Sequence, residues 1–340
     1  MKKIVFSIVS FLVAFAVQGQ ITSNSTGNWH DGSTWVGGIV PTSSDNVIIA
    51  NGHTVTLTAN AACNNLTLQT TTGTNLAIDA FTLELSGTLN GPSTTYTNSI
   101  ITSGTGRLKF VGASRALFGS NWNIVTGLDW RFEVALNSGQ TGTTSLGTGS
   151  SAVINAKEII ITSGTFDVSS SGANLGHIRI DGNAANTGSM TIEDGATLIC
   201  RRIYRTSSGS DPFNSLTMNG SSKIQFYSNA ASSSGFLVNI SGGFPVYTYS
   251  SNALIEFIGA SSGNPNTIPY PNVAVTLSGS SSSRTFTGTS TTIAGNLTIS
   301  SATVTIGSGT LLISGNAIIN NDAVFTSGSS SAGYSFSGAN

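Results

Sequence analysis

The chain has 340 residues, of which only 8% are charged, and its formal net charge is −1. Globular proteins average about 25% charged residues, and a near-neutral chain lacks the basic surface that nucleic acid or an anionic membrane requires. The 40 glycines stand among many Ser, Thr and Asn residues, but Val, Ile, Leu and Phe recur throughout, which excludes a disordered chain.

The N-terminus has the layout of a secretory signal peptide. Met1-Lys2-Lys3 is a short positive start, residues 4–17 are apolar apart from two serines, and the small residue Gly19 precedes Gln20. This apolar run is shorter than the about 20 residues that a membrane span needs. We therefore expect residues 1–19 to be a signal peptide, and the mature chain to have no membrane span and no affinity for nucleic acid.

A distinctive segment follows, because residues 27–57 read GNWHDGSTWVGGIVPTSSDNVIIANGHTVTL. A Trp-rich turn precedes Val-Pro and an Asp-Asn-Val-x-Ile strand. The segment resembles the opening of secreted bacterial β-solenoid repeat proteins, and it is similar to the start of the extracellular domain named for its eight glycines. The matching residues are Trp29, Trp35, Gly37, Gly38, Pro41, Asp45, Val47, Ile49, Gly52 and Val55.

The resemblance implies a right-handed parallel β-helix delivered by the type IX secretion route to the outer surface of a Gram-negative bacterium, or secreted from it. Proteins of this kind usually end in a separate sorting domain. The present sequence ends in SSSAGYSFSGAN instead. The expectation is therefore a chain truncated at the C-terminus.

Residues 20–57 are predicted to form an N-terminal capping segment with the first coils. The end of a solenoid exposes apolar side chains and unpaired strand edges, which Trp29 and Trp35 are large enough to cover. Pro41 cannot donate to a strand ladder. The alternative is that the two Trp rings form a platform on which a carbohydrate stacks.

From residue 58 onward the sequence predicts one continuous β-solenoid to residue 340. Apolar residues recur in pairs with a gap of two, which is the alternation of a strand, and the intervening Gly, Ser and Asn are turn formers. The pairs, some of which begin in the preceding segment, are Val47/Ile49, Val55/Leu57, Leu66/Leu68, Leu76/Ile78, Leu83/Leu85, Ile159/Ile161 and Phe166/Val168, with Leu175 seven residues further on.

The C-terminal region gives the clearest repeat, LTISSAT-VTIGSGT-LLISGNA-IINNDAV from residue 297. Three seven-residue sides make a coil of about 21–24 residues, within the range of structural repeats. We expect Leu297, Ile299, Val304, Ile306, Leu311, Ile313 and Ile318 to point inwards. A tandem β-sandwich is the alternative, but its hairpins recur every 8–12 residues. Looser spacing at 90–150 and 200–290 is interpreted as loops projecting from the solenoid.

The best candidate for a ligand site is Asp129, Arg131 and Glu133, which alternate and could share one face of a strand. An exposed ion pair is the simpler interpretation. Glu193-Asp194 before Gly195 and the cluster Arg201, Arg202 and Arg205 are interpreted as solvated turns, and Lys157-Glu158 as a further surface pair.

No catalytic residue, metal site or cofactor is predicted. His30, His53 and His177 lack metal-ligand spacing. Cys63 and Cys200 should be about six coils apart, on the order of 30 Å at about 4.8 Å per coil, so we expect two buried free thiols and no disulfide.

Three functions remain open. The preferred one is a structural or adhesive surface protein that presents Ser, Thr and Asn to an extracellular polysaccharide or surface protein. A polysaccharide-active lyase or hydrolase of β-helical form is the alternative, based on fold analogy alone. An ice-binding solenoid needs Thr-x-Thr at every coil, and Thr303-x-Thr305 is an isolated match.

Overall fold

A computed structural model shows an all-β chain whose parallel strands stack coil upon coil, so the predicted parallel β-solenoid is confirmed. The structure describes residues 19–69, 74–91, 100–101, 105–119, 131–144, 153–169, 176–180, 188–204, 213–227, 237–238, 246–258, 268–276, 283–286, 290–300, 302–320, 322–328 and 332–337. Within these ranges the only helices are two 3-10 turns, Gly32–Thr34 and Val36–Gly38.

Three faces surround one apolar core, and after the first coil the chain visits them in a constant order wherever the described strands follow one another. In the first coil the two 3-10 turns stand between face 2 and the return to face 1. Face 1 is a 13-stranded parallel sheet along the length of the molecule. Its strands are Gln20–Thr22, Asn46–Ile49, Leu66–Leu68, Leu89–Asn90, Arg115–Phe118, Thr141–Thr144, Thr165–Asp167, Thr197–Cys200, Lys223–Tyr227, Leu254–Ile258, Asn272–Thr276, Leu297–Ser300 and Ala317–Ile319.

Face 2 follows face 1 along the chain and consists of three successive sheets. Their strands are Gly27–Asn28, Thr54–Thr56, Asn75–Ala77 and Ile100–Ile101; then Val153–Ala156, His177–Ile180, Arg202–Tyr204 and Leu237–Val238; then Ser283–Phe286, Thr303–Ile306 and Val324–Ser327.

Face 3 completes the coil with two successive sheets. The first contains Ala61–Cys63, Thr82–Leu85, Arg107–Gly112, Arg131–Leu136, Glu158–Ser163, Gly188–Ile192, Phe213–Met218 and Val246–Tyr249. The second contains Pro269–Tyr270, Ser290–Ile293, Thr310–Ile313 and Gly333–Phe336.

The C-terminal heptads form a three-sided coil, as predicted. Leu297–Ser300 lies on face 1, Thr303–Ile306 on face 2 and Thr310–Ile313 on face 3. In each strand the two residues of the predicted apolar pair point inwards, and all six side chains are at most 1% exposed. The same holds for every upstream pair except Leu175, which lies outside the described residues.

The predicted inward orientation of Ile318 is wrong, because its side chain is 48% exposed. It pairs with the outward-facing Thr298, whereas Ala317 and Ile319 continue the inward columns of Leu297 and Ile299. The fourth heptad is therefore one residue out of phase with the first three.

Coil length varies around the expected 21–24 residues. Leu254 pairs with Asn272 in the next coil, whereas Thr165 pairs with Thr197, which is a much longer step along the chain. The difference lies in the corners, since strand pairing constrains only the sides. The stretches with looser spacing nonetheless supply strands to the same stack, such as Arg131–Leu136 and Leu254–Ile258.

Asparagine side chains fasten one corner of the solenoid. Oδ1 of Asn65 accepts a hydrogen bond from the backbone N–H of Thr88 at 2.7 Å in the next coil. Near the C-terminus, Oδ1 of Asn272 accepts from the N–H of Asn296, whose own Oδ1 accepts from the N–H of Asn316, at 2.9 and 2.8 Å. Each bond satisfies a corner N–H that no strand ladder reaches.

The first coil buries both tryptophans of the opening segment. Trp29 and Trp35 are 0% and 2% exposed, their rings meet edge to face with centroids 5.1 Å apart, and Nε1 of Trp35 donates to the carbonyl oxygen of Trp29 at 2.7 Å. Gly37 and Gly38 then adopt positive φ angles, which permit the tight turn after Trp35. Both Trp side chains thus belong to the core of the first coil.

Cys63 and Cys200 are both free and buried, as predicted. Cys63 lies on face 3 and Cys200 on face 1 of a later coil. Burial raises the pKa of the Cys63 thiol to about 12 and that of Cys200 well above its ordinary value. Both side chains thus act as small apolar groups.

None of the helices in the described part of the chain is long and apolar enough to cross a membrane. The predicted signal peptide lies almost wholly outside the described residues.

The inward columns predict that the same substitution at two adjacent residues has very different effects on the free energy of unfolding. Leu311→Asp should lower the free energy of unfolding by about 4 kcal/mol or more, because a charge would enter a dry core. Leu312→Asp is the matched control, since Leu312 lies on the outer side of the same strand, and it should cost far less. Urea unfolding measures both; equal losses would mean that the inward register is misassigned.

The two thiols should resist alkylation by iodoacetamide at pH 8 in the folded protein, because burial suppresses the reactive thiolate. Both should react at once in 6 M guanidinium chloride. Intact mass spectrometry under non-reducing conditions counts the adducts. A Cys63–Cys200 disulfide, or rapid labelling of the folded chain, would contradict the assigned burial.

Candidate functional site

The predicted ligand site lies on face 3, where Arg131 and Glu133 project outwards on either side of the buried Phe132. The prediction that Arg131 and Glu133 share one face of a strand is therefore confirmed. Asp129, the third predicted member, lies outside the described residues.

Arg131 and Glu133 pair with neighbouring coils instead of with each other. Nη1 of Arg131 lies 3.5 Å from Oε2 of Glu158 in the following strand of face 3. Glu133 lies 3.3 Å from Nη1 of Arg107 in the preceding strand and accepts a hydrogen bond from Oγ1 of Thr162 at 2.9 Å. The same guanidinium of Arg107 comes within 3.9 Å of Glu158.

One further pair extends this arrangement, which we call the charge ladder. Lys109 Nζ lies 3.2 Å from Oε1 of Glu84, and Lys109 stands in register between Glu84 and Glu133. The ladder therefore consists of Glu84, Arg107, Lys109, Arg131, Glu133 and Glu158. Glu158, predicted to be an unremarkable surface residue, is one of its central members.

The charge ladder is suited to holding coils together. Its carboxylates meet cations across strands, and opposite charges on facing strands stabilise a sheet by roughly 0.2–1 kcal/mol per pair. Glycoside hydrolysis instead needs two carboxylates free to reach a sugar from opposite sides. Glu133 already contacts a guanidinium and a hydroxyl.

The other half of the same sheet presents hydroxyls on the outer side of its described strands. Ser189 stands in register with Ser215, and Thr191 with Thr217 and then Thr248. We call these five residues the hydroxyl patch. Thr248 and the nearby Val246 are exposed, the latter by 68%. The patch thus extends over three successive coils.

Glu193 and Asp194 lie in the corner before Gly195, as the sequence predicts, and each bonds to the next coil. Oε2 of Glu193 accepts from Nδ2 of Asn219 at 2.8 Å, and Oδ1 of Asp194 accepts from the N–H and hydroxyl of Ser221 at 2.7 and 2.8 Å. These hydrogen bonds lower the pKa of Asp194. The two carboxylates thus link this corner to the corner of the next coil.

The interpretation of the arginine cluster as a solvated turn is wrong for Arg201, which is only 7% exposed. Arg202 stands in register with His177 on face 2, and Arg205 lies outside the described residues. Burial, with Coulomb repulsion from Arg202 and Arg201, lowers the pKa of His177 to about 4. Burial, aided by these two guanidinium groups, thus favours the neutral form of His177.

The proposed sugar platform is wrong. Stacking requires an exposed ring face, and Trp29 and Trp35 present almost none. The ring N–H of Trp35 is already bonded to the backbone.

Sequence reasoning missed Arg284, which is fully buried. It stands in register with Val304, two residues before the inward-facing Phe286, so it occupies a core position on face 2. Burial lowers its pKa to about 10. The gap of two between Arg284 and Phe286 is the same as in the apolar pairs, and that spacing could have identified it.

Lys157 likewise is not a surface residue, since it is 5% exposed. Within the described ranges no three His, Cys, Asp or Glu side chains are arranged to hold a metal ion.

Comparison of the chain with protein-family models, curated proteins and solved structures finds no match. The fold and the described side chains therefore carry the functional argument.

The environment of His177 predicts loss of stability in mild acid. Its folded pKa, about 4, lies below its ordinary 6.5, so between these values the unfolded chain binds a proton that the folded chain does not. The stability that His177 contributes should be intact above pH 6.5 and fall as the pH drops towards 4.

Urea midpoints at pH 7 and pH 5 test this prediction. His177→Gln should reduce the loss between the two pH values, whereas His30→Gln, at an exposed position, should leave it unchanged. An equal loss in the native chain and in His177→Gln would refute the assigned environment.

Proposed function

We propose that the protein is an exported structural or adhesive repeat protein that contacts an extracellular polysaccharide, or a glycosylated surface, through the hydroxyl patch on face 3. The single observation that carries the proposal is the register of Thr191, Thr217 and Thr248, with Ser189 and Ser215 beside them, on successive coils. Neighbouring strands are about 4.8 Å apart. The hydroxyls therefore form a regular array in place of a pocket.

A sugar polymer offers many hydroxyls that donate and accept, as do the side chains of Ser and Thr. Each such bond contributes little in water, roughly 0.5–1.5 kcal/mol. Repetition along a rigid face allows many to form together, and binding elements that are held together gain affinity through effective concentration. An uncharged patch suits a neutral polymer.

An enzyme that acts on polysaccharides is the less favoured function. The acidic groups nearest to the predicted site, Glu133 and Glu158, are held by Arg107 and Arg131. The corner carboxylates Glu193 and Asp194 are bonded to the neighbouring corner.

The strand register gives ice binding more support than the isolated Thr303-x-Thr305 match in the sequence. On face 2, Thr285, Thr305 and Thr326 stand in register, with Ser283 beside Thr285 and Thr303 beside Thr305. In the third strand Val324 takes the place that Ser283 and Thr303 hold in the first two. Two hydroxyls therefore stand side by side on two coils. A flat ice-binding surface needs a longer array, and we therefore place this function below glycan contact.

We further propose that residues 1–19 direct export and are removed. The type IX route to the surface of a Gram-negative bacterium is the one that the opening segment's resemblance suggests. Two buried free thiols are compatible with an oxidising compartment, because neither can reach the other or the solvent.

Binding to immobilised neutral and acidic polysaccharides tests the proposed function. Replacing Thr191, Thr217 and Thr248 together by Val keeps the side-chain shape and removes three hydroxyls, and should weaken binding at least tenfold. The matched control replaces Thr141, Thr165 and Thr197 by Val, in an outer column on face 1, and should leave binding intact.

Retained binding in the face 3 variant would contradict the assigned patch. Release of reducing ends or unsaturated products, lost in Asp129→Ala or Glu133→Gln, would instead establish an enzyme. Inhibition of ice growth without glycan binding would favour the face 2 array.

A further inference from the structure

The basic residues of the chain are unevenly distributed. Of the 13, two precede residue 19 and six have partners or positions elsewhere in the fold. Arg115, for example, donates from Nε to the carbonyl oxygen of Gly87 at 2.8 Å and from Nη2 to that of Leu85 at 2.9 Å. The others of these six are Arg107, Lys109 and Arg131 in the charge ladder, Lys223 beside Glu256, and Arg284 in the core. Five basic residues remain, namely Lys157, Arg179, Arg201, Arg202 and Arg205.

All five lie on, or directly next to, the middle sheet of face 2, whose strands are Val153–Ala156, His177–Ile180, Arg202–Tyr204 and Leu237–Val238. Two of them belong to strands, and the other three adjoin a strand in the sequence. These strands contain no acidic residue, and Asp181 is the only acidic residue that directly adjoins them. Five positive charges thus stand against one negative charge, in a chain whose formal net charge is −1. We call this sheet with its five basic residues the basic sector.

Arg202 and His177 lie on the outer side of the basic sector. The two are in register on successive strands, about 4.8 Å apart, and both are partly exposed. The isoleucine that follows each of them is fully buried. Lys157 and Arg201 are only 5% and 7% exposed, so they add to the electrostatic potential without reaching a ligand themselves.

The ionisation of His177 reports the sign of that potential. Burial lowers its pKa to about 4, and Coulomb repulsion from Arg202 and Arg201 acts in the same direction. A second positive charge beside Arg202 is therefore disfavoured, and a negative charge is favoured for the same reason. The outer surface of the basic sector is thus suited to an anionic group.

The basic sector and the hydroxyl patch lie on the same three coils. Three strands of the sector are each followed along the chain by a strand of face 3 that carries the patch. The successive pairs are His177–Ile180 with Gly188–Ile192, Arg202–Tyr204 with Phe213–Met218, and Leu237–Val238 with Val246–Tyr249. A polymer that crosses the corner between faces 2 and 3 can therefore contact both surfaces.

We propose that the basic sector recognises the acidic groups, carboxylate or sulfate, of an anionic polysaccharide whose hydroxyls lie on the hydroxyl patch. This inference rests on the proposed function and narrows it to one class of polymer. The planar guanidinium of Arg202 offers paired N–H donors, which match two oxygen atoms of an anionic group. A nucleic acid would need cations along its whole length, whereas the hydroxyl patch beside the sector is uncharged.

Binding of the purified protein to immobilised polygalacturonate, dextran sulfate and unsubstituted dextran tests the proposal. At 0.1 M salt at least one of the two anionic polymers should bind several-fold more tightly than dextran. This advantage should disappear at 1 M salt, because the screening length falls from about 10 Å to about 3 Å. The polymer that shows the advantage identifies the acidic group as carboxylate or sulfate.

Arg202→Gln removes one charge from the sector and should weaken binding to the anionic polymer at 0.1 M salt at least about fivefold, while binding to dextran stays unchanged. Arg202→Lys keeps the charge and should retain part of the preference. Lys223→Gln is the matched control, because it removes the same charge from face 1, where the side chain is 35% exposed, and it should bind as the native chain does. Circular dichroism verifies that the variants are folded.

The variant in which Thr191, Thr217 and Thr248 are replaced by Val separates this inference from the proposed function. If that variant loses binding to all three polymers while Arg202→Gln binds as the native chain does, the hydroxyl patch stands and the basic sector is excluded. No binding of the native chain to any polymer would overturn both. Binding to single-stranded poly(dT) as tight as that to the anionic polymer would assign the sector to polyanions in general and would also contradict the inference.

Discussion

The stacking of inward side chains in columns is the constraint on which the rest of the structure depends. Each strand is too short to bury its apolar side alone, so a coil gains a dry core only when the next coil places apolar residues directly above it. Parallel ladders fix that register, and a slip of one residue would turn the core outwards. On face 1, for example, Phe226 and Phe257 stand in register on successive coils, and their rings stack with centroids 5.9 Å apart.

This constraint leaves the chain free elsewhere, and the freedom has two consequences for function. Corners can vary in length without disturbing the columns, which explains how the short step from Leu254 to Asn272 and the long step from Thr165 to Thr197 occur in one stack. Outer positions can also carry any side chain that tolerates a strand. On face 3 the outer positions carry the charge ladder in the first half of the sheet and the hydroxyl patch in the second. One sheet therefore has a part whose opposite charges pair with each other and a part that is polar but uncharged.

The core could be predicted from the sequence because its signal is local. A gap of two between apolar residues fixes an inward pair, and Leu297/Ile299, Val304/Ile306 and Leu311/Ile313 follow from it directly. The prediction for Ile318 failed because IINN offers two adjacent isoleucines, and only pairing with Thr298 decides which one faces out. The recurring Asn-Leu-Thr sequence at residues 65 and 296 contained the corner asparagines, but their role depends on the N–H of the next coil.

Contacts between coils could not be predicted, and they decide the character of the candidate site. Arg131 and Glu133 are close in sequence, yet their partners are Glu158 and Arg107, which belong to the following and preceding coils. Finding those partners requires the length of each corner, which the apolar pattern does not encode. The burial of Trp29 and Trp35 likewise depends on the course of the first coil and not on residue type.

The distance between two outer residues of face 1 tests the stacked register most directly. Thr143 and Thr298 belong to one column, linked in register through Asp167, Ile199, Gln225, Glu256 and Ala274. Six steps of about 4.8 Å place their backbones about 29 Å apart. Spin labels on Thr143→Cys and Thr298→Cys, diluted with unlabelled protein, should give one narrow distance distribution near that value by double electron–electron resonance. A broad distribution, or a separation far from the expected one, would contradict the continuous parallel stack.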